Sequence, residues 1–274
     1  MIVKTLVENT SLAEPLGAEH GLSLYIETLK HRILFDLGQG SLFLENALKM
    51  KVDIAEVDLV VISHGHFDHG GGLEAFLRAN SRARIYLHKK AFDDHYAKLP
   101  DGSIIPIGLN KELMNNPRFI FVDDYLRIDE ELELFSAVKG RELYSTANRS
   151  LLMQVREQIQ EDTFEHEQNL IINECGKVLL LAGCAHNGIV NILNRMLEIR
   201  PAPADCVIGG FHLHNPPTNQ SEDEELIKAI GQFLIQTGSQ FYTGHCTGLE
   251  PYKILKDIMH EKIKYLATGG VVEL

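Results

Sequence analysis

The stretch SHGHFDHGGGL, residues 63–73, sets three histidines and an aspartate within six positions. It follows VDLVVIS (57–63), an apolar β-branched run that reads as a buried strand, and it precedes GGLEAFLRAN (71–80), whose apolar spacing is helical. The chain must therefore pass from a buried strand through a tight turn into a helix, and Gly70, Gly71 and Gly72 let the backbone turn sharply. On such a turn His64 and His66, two residues apart, can point at one centre, and Asp68 and His69 at another. Imidazole with carboxylate suits zinc, iron or manganese. A lone histidine is ordinarily a packed or solvated side chain. Four ligand-type residues in six positions, between a buried strand and a glycine run, read as a metal site.

The same arrangement recurs along the chain. KVLLLAGCAH (177–186), DCVIGGFHLH (205–214) and QFYTGHCTG (240–248) are apolar strands that run into turns bearing Cys184 and His186, His212 and His214, and His245. Loops at strand ends are where α/β proteins assemble sites. Early strand-length runs, IVKTLV (2–7), LSLYIE (22–27) and RILFDLG (32–38), come in hairpin-like series, and QNLIIN (168–173) pairs with KVLLLAG around Glu174–Lys177. Helical patterns lie at 41–50, 188–200, 221–238 and 251–262, and ARIYLHKKAF (83–92) reads as strand into helix. The expectation is a mixed α/β (α+β) chain with helices outside sheets, not one parallel sheet. Residues 1–274 read as a single domain, with a Pro-, Gly- and Asn-rich irregular insertion or lid at about 93–130.

Composition narrows the partners. A formal net charge of -12 argues against a general nucleic-acid binder. No run approaches the roughly 18–20 apolar residues of a membrane span, and MIVKTLVENT reads as a first strand, not a signal peptide, so a cytoplasmic protein is expected. Cys175, Cys184, Cys206 and Cys246 show no C-x-x-C spacing and are expected to be reduced.

SHGHFDHGGGL resembles the signature of the metallo-β-lactamase superfamily, and ILFDLGQG (33–40) resembles its upstream strand and aspartate. GKVLLLAGCAHNGIVN, VIGGFHLH and YTGHCTG are similar to the subgroup that resembles dihydropterin-ribofuranosyl-aminobenzene-phosphate synthase. The resemblance implies a four-layer αβ/βα sandwich with two metal positions at one edge between two sheets. It implies His64 and His66 at the first position, Asp68 and His69 at the second, and His245 as the final family histidine. Two positions depart from the pattern. Many members bridge the metals with an aspartate where this chain has Cys184, and another ligand histidine has no clear counterpart around FEHEQNL, which holds His166 and Glu167. The simplest repair makes His186 the replacement ligand; Cys184 is then either a thiolate near the metals or a small buried residue. His212 is left to a substrate contact, a supporting role or proton donation, and Asp36 to orienting a ligand histidine. His214 is expected to be exposed, and His20, His31, His88, His95 and His260 to be surface or packing residues.

The resemblance implies a metal-dependent hydrolase with two divalent ions, zinc first, with iron or manganese as alternatives. A metal-activated water would attack, with Asp68 orienting or deprotonating it. The alternative from the subgroup is a transferase that forms a C–N bond with loss of diphosphate from a phosphorylated, pterin-like small molecule. Its diphosphate would call on Lys89, Lys90, Arg141 or Arg149. A di-iron redox protein and a non-catalytic metal-binding protein are the readings from other classes. Nucleic acid and membrane are not expected as partners.

Overall fold

The computed structural model describes residues 1–274. Two seven-stranded sheets face each other. The first runs, in spatial order, Val271–Glu273, Ile2–Val7, Ser23–Glu27, Arg32–Phe35, Leu59–Ile62, Arg84–His88 and Phe119–Val122. The second runs Ile263–Tyr265, Gln240–Thr243, Cys206–Ile208, Lys177–Leu181, Asn169–Glu174, Leu132–Phe135 and Tyr125–Arg127. In each, one half is antiparallel and the other parallel: Arg32–Phe35 through Phe119–Val122 are parallel in the first, and Lys177–Leu181 through Ile263–Tyr265 in the second.

Strand alternation explains why these apolar runs are nearly continuous. Ile33 and Phe35, Leu59 and Val61, Leu179 and Leu181, and Cys206 and Ile208 meet in the core between the sheets. Their neighbours Leu34, Val60 and Ile62 turn outward, into a core with Phe43 and Ala47 of helix Leu42–Lys49 and Leu73 and Phe76 of helix Leu73–Ala79. Leu180, Ala182 and Val207 likewise face a third core against helices Ile189–Ile199, Glu224–Gln236 and Leu249–Met259. A strand buried on both faces carries apolar residues in both registers. The result is helix, sheet, sheet, helix: the expected four layers.

Two expectations are corrected. After strand Arg84–His88 the chain forms turns, not a helix. The 93–130 region is not irregular: Phe119–Val122 and Tyr125–Arg127 belong to the two main sheets. His95–Lys98 and Ile104–Pro106 join Leu151–Val155 and Gln158–Glu161 in a separate four-stranded sheet. These strands are short and largely exposed, so they lack the apolar signal of the main sheets.

Candidate metal centre

Every loop of the cluster leaves the C-terminal end of a parallel strand: Asp36 after Phe35, His64 after Ile62, Cys184 and His186 after Leu181, His212 after Ile208, and His245 after Thr243. Four of these loops contain a non-glycine residue in the left-handed region, with φ of 60° at Asp36, 51° at Ala185, 49° at His212 and 50° at His245. Such strain persists only where the surroundings enforce it, and it gathers at functional sites. Close loop contact also requires glycine at Gly183, where a Cβ would collide with the Ser63 hydroxyl.

The structure brings His64, His66, Asp68, His69, Cys184, His186 and His245 together, all buried. They fall into two overlapping groups. His64, His66 and His186 form one, with ring centroids 4.5–4.9 Å apart. In the other, Asp68 Oδ2 lies 3.2 Å from His245 Nε2 and 3.5 Å from His69 Nε2, and the two imidazole Nε2 atoms are 3.1 Å apart. Cys184 Sγ sits at the junction, 3.2 Å from His69 Nε2 and within ligand range of His64.

Hydrogen bonds fix the tautomers. Asp36 accepts from the Ser63 amide, the Ser63 hydroxyl and His69 Nδ1, each at 2.7 Å. The Ser63 hydroxyl has given its proton to Asp36, so it accepts from His64 Nδ1 at 2.8 Å. His186 Nδ1 donates to Asn148 Oδ1 at 3.0 Å, and His245 Nδ1 to Asn9 Oδ1 at 2.8 Å. In all four rings Nε2 is left for the centre, and a ligand histidine held through its other nitrogen is the usual support of a metal site. The Nε2 atoms of His64, His66 and His186 are buried without any partner. Orphaned buried nitrogens of this kind are costly unless something binds them, so the donor set fits divalent ions.

Electrostatics agree. Burial pushes His64, His66 and His186 well below the ordinary histidine range, and neighbouring imidazoles (His69, His166 and His212 respectively) push them further. They are neutral, with lone pairs available, as metal ligation requires. Burial opposes ionisation of Asp68, but His69 and hydrogen bonds from His20 and His245 hold it well below the usual carboxylate range. Burial likewise opposes protonation of His69, yet Asp68 and Asp36 push it up to about 9. Burial pushes the Cys184 thiol well above its ordinary range, and its hydrogen bond to Cys246 adds to this. A coordinated cation would deprotonate such a thiol.

Two residues read from sequence as surface or packing, His20 and His95, lie at or beside the centre, as does His166 of FEHEQNL. His20 is a correction: Asn9 Nδ2 donates to its Nδ1 at 3.3 Å, and its Nε2 donates to Asp68 Oδ2 at 3.3 Å. His95 and His166 are both buried, and with His66 and Asp162 they form a second ligand-type cluster. His166 Nδ1 accepts from the Gly65 amide at 2.9 Å, so its Nε2 donates to Asp162 at 3.2 Å; His95 Nδ1 donates to the same carboxylate oxygen at 2.9 Å. Asp162 and His166 thus clamp the backbone between His64 and His66. Glu167 accepts from the His186 and Asn187 amides at 2.6 and 2.9 Å and so holds the turn that carries His186. Scattered single residues of this sort leave no local signal; only DTFEH, with Asp162 and His166 four apart, hints at a pair.

His212 lies against His186, with ring centroids 4.3 Å apart, and neither of its ring nitrogens has a partner. His214 is half-buried where exposure was expected. His31 pairs with Asp129 near the surface, His260 is exposed and His88 is packed, all as read. A cavity of about 350 Å³ opens above the cluster, with His66, Asp68, Cys184, His186, His212 and His245 in its lining. Lys89, Lys90 and Arg141 line a different hollow, and Arg149 lines neither.

Comparison with known proteins agrees with this geometry. The family profile described as metallo-beta-lactamase superfamily matches residues 16–146, which contain the SHGHFDHGGGL turn. The chain is 27% identical to 7,8-dihydropterin-6-methyl-4-(beta-D-ribofuranosyl)-aminobenzene-5'-phosphate synthase of Methanocaldococcus jannaschii, over 99% of this chain and 96% of that one. A solved structure described as a metal-dependent hydrolase of the beta-lactamase superfamily superposes with a TM-score of 0.84 at 28% identity, covering 100% and 99% of the two chains. A diphosphatase structure shares the fold at 14% identity and a TM-score of 0.58, covering 100% of this chain and 97% of that one. Residues 16–146 match the metallo-beta-lactamase superfamily profile, and the chain folds as that superfamily's sandwich.

Proposed function

We propose that the protein is a metal-dependent hydrolase of a small molecule, with two divalent ions, zinc first among them. His64, His66 and His186 would hold one ion, and Asp68, His69 and His245 the other, with Cys184 between them. The observation that carries this reading is the convergence of three buried, unpartnered and neutral imidazole Nε2 atoms beside an ionised Asp68. When bound, such ions lower the pKa of water and polarise an electrophile.

The chain's own residues supply the rest. Asp68 Oδ2, hydrogen-bonded by His20, orients the attacking water and takes its proton. His212, at the cavity wall with both ring nitrogens free, is placed to give a proton to the leaving group. Asp36, Ser63, Asn148 and Asn9 keep the ligand rings in one tautomer. The strand pair His95–Lys98 and Ile104–Pro106 contributes Ala97 and Ile105 to the cavity lining.

A second reading, a transferase with loss of diphosphate from a pterin-like substrate, is supported by the whole-chain similarity to the synthase. Product analysis in ¹⁸O-water separates the two. The metal-loaded protein is expected to cleave a simple ester or phosphodiester and place one ¹⁸O in the product, with the rate abolished by chelation and restored by zinc. Absence of ¹⁸O incorporation, with condensation of a pterin diphosphate and an arylamine, would overturn the hydrolase in favour of the transferase.

A further inference from the structure

The cavity above the cluster is divided by chemistry. Its polar lining includes His66, Asp68, Cys184, His186 and His245 of the proposed ligand set. Its apolar walls include Leu99, Ile105, Ile107, Leu151, Pro216 and Pro217. No lysine or arginine is among the lining residues, and the one carboxylate there is Asp68. The nearby cations are engaged elsewhere: Lys89 with Asp123 at 2.6 Å, Lys90 with Glu165, and Arg141 with the Gly140 carbonyl at 2.7 Å and over the Tyr144 ring. The volume, about 350 Å³, is near the lower end of the roughly 300–1,000 Å³ of ligand clefts.

We propose that this site takes a small uncharged carboxylic ester or lactone whose alkyl or aryl substituent lies against the Ile105 and Pro216 walls, and not a substrate with a phosphate on its distal part. The assignment rests on the metal-dependent hydrolase reading. Only the carbonyl end reaches the polar lining. A phosphate placed along the walls would be desolvated against isoleucine, leucine and proline with no cation to receive it, whereas each buried methylene there gains about four-fold in affinity. Hydrolysis of such a substrate balances simply. Water's oxygen bonds to the acyl carbon, the acyl C–O bond breaks, and the alkoxide leaves with a proton.

Calorimetric titration of the zinc-loaded protein with three hydroxamates tests this, because they share one metal-binding head. Hexanohydroxamate is expected to bind at least ten-fold more tightly than acetohydroxamate, and an equally long hydroxamate ending in a phosphonate no better than acetohydroxamate. Ile105→Asp, which sets a carboxylate on that wall, should cut hexanohydroxamate affinity to the level of acetohydroxamate. Equal affinity for the two alkyl hydroxamates, or tighter binding of the phosphonate, overturns the substrate class and leaves the metal centre standing. Failure of acetohydroxamate to bind at all overturns the metal-centre reading, and the substrate class falls with it.

Discussion

At the level of single residues, the centre is a set of lone pairs aimed by hydrogen bonds. His186 illustrates it: Asn148 takes the Nδ1 proton, Phe164 stacks on the ring at 4.5 Å, and Nε2 is left facing His64 and His66. His186→Ala should therefore lose about one metal equivalent and lower the hydrolytic rate by roughly 10²-fold or more, as removing a direct ligand should exceed the effect of a supporting residue. Elemental analysis with a rate measurement checks it, and unchanged occupancy would remove His186 from the ligand set. Asp162→Asn should act indirectly. It weakens the clamp on Gly65 and is expected to loosen metal affinity by about 10- to 100-fold, read by competition with a chromophoric chelator. The sequence shows the proposed ligands because four of them share one turn and the others follow apolar strands. It does not show His20, His95 or Asp162, which reach the centre through long-range contacts and sit in no recurring pattern.

The elements do two jobs. Parallel strands deliver ligand loops from their C-terminal ends, and their double burial made them readable as continuous apolar runs. The small four-stranded sheet was not readable. Its pairing joins residues 95–106 to 151–161, and exposed strands such as Gln158–Glu161 carry no apolar alternation. The loop before helix Ile189–Ile199 depends on one buried carboxylate. Glu167→Ala leaves the His186 and Asn187 amides without an acceptor and leaves the Asn187 side-chain amide only the Phe164 carbonyl, and it should cost about 2–3 kcal/mol in chemical denaturation of the metal-free protein. Loss of less than about 0.5 kcal/mol would show that the turn holds its shape without Glu167.

The whole molecule assembles four layers so that a polar cluster sits at one edge of a largely apolar interior. That arrangement makes stability depend on pH and metal together. The folded-state pKa values of His64, His66 and His186 are depressed, so below about 6.5 the unfolded chain binds protons that the metal-free fold refuses, and stability falls with falling pH. His69 is raised to about 9, so its contribution is complete below about 6.5 and is lost as pH rises toward 9. The melting temperature of the metal-free protein should thus peak near pH 6.5 to 7 and fall more steeply on the acid side, where three groups act against one. Zinc should raise the whole curve, because it binds only the folded arrangement. A flat profile between pH 5 and 7 would contradict the neutral buried histidines. No helix is long and apolar enough to cross a membrane. The most direct test of the central claim is the metal content of protein purified without added metal or chelator, followed by zinc titration of the stripped chain. The account predicts two equivalents per chain, with about one lost in His186→Ala. No tightly bound metal in the native protein and no zinc uptake by the stripped one would contradict it.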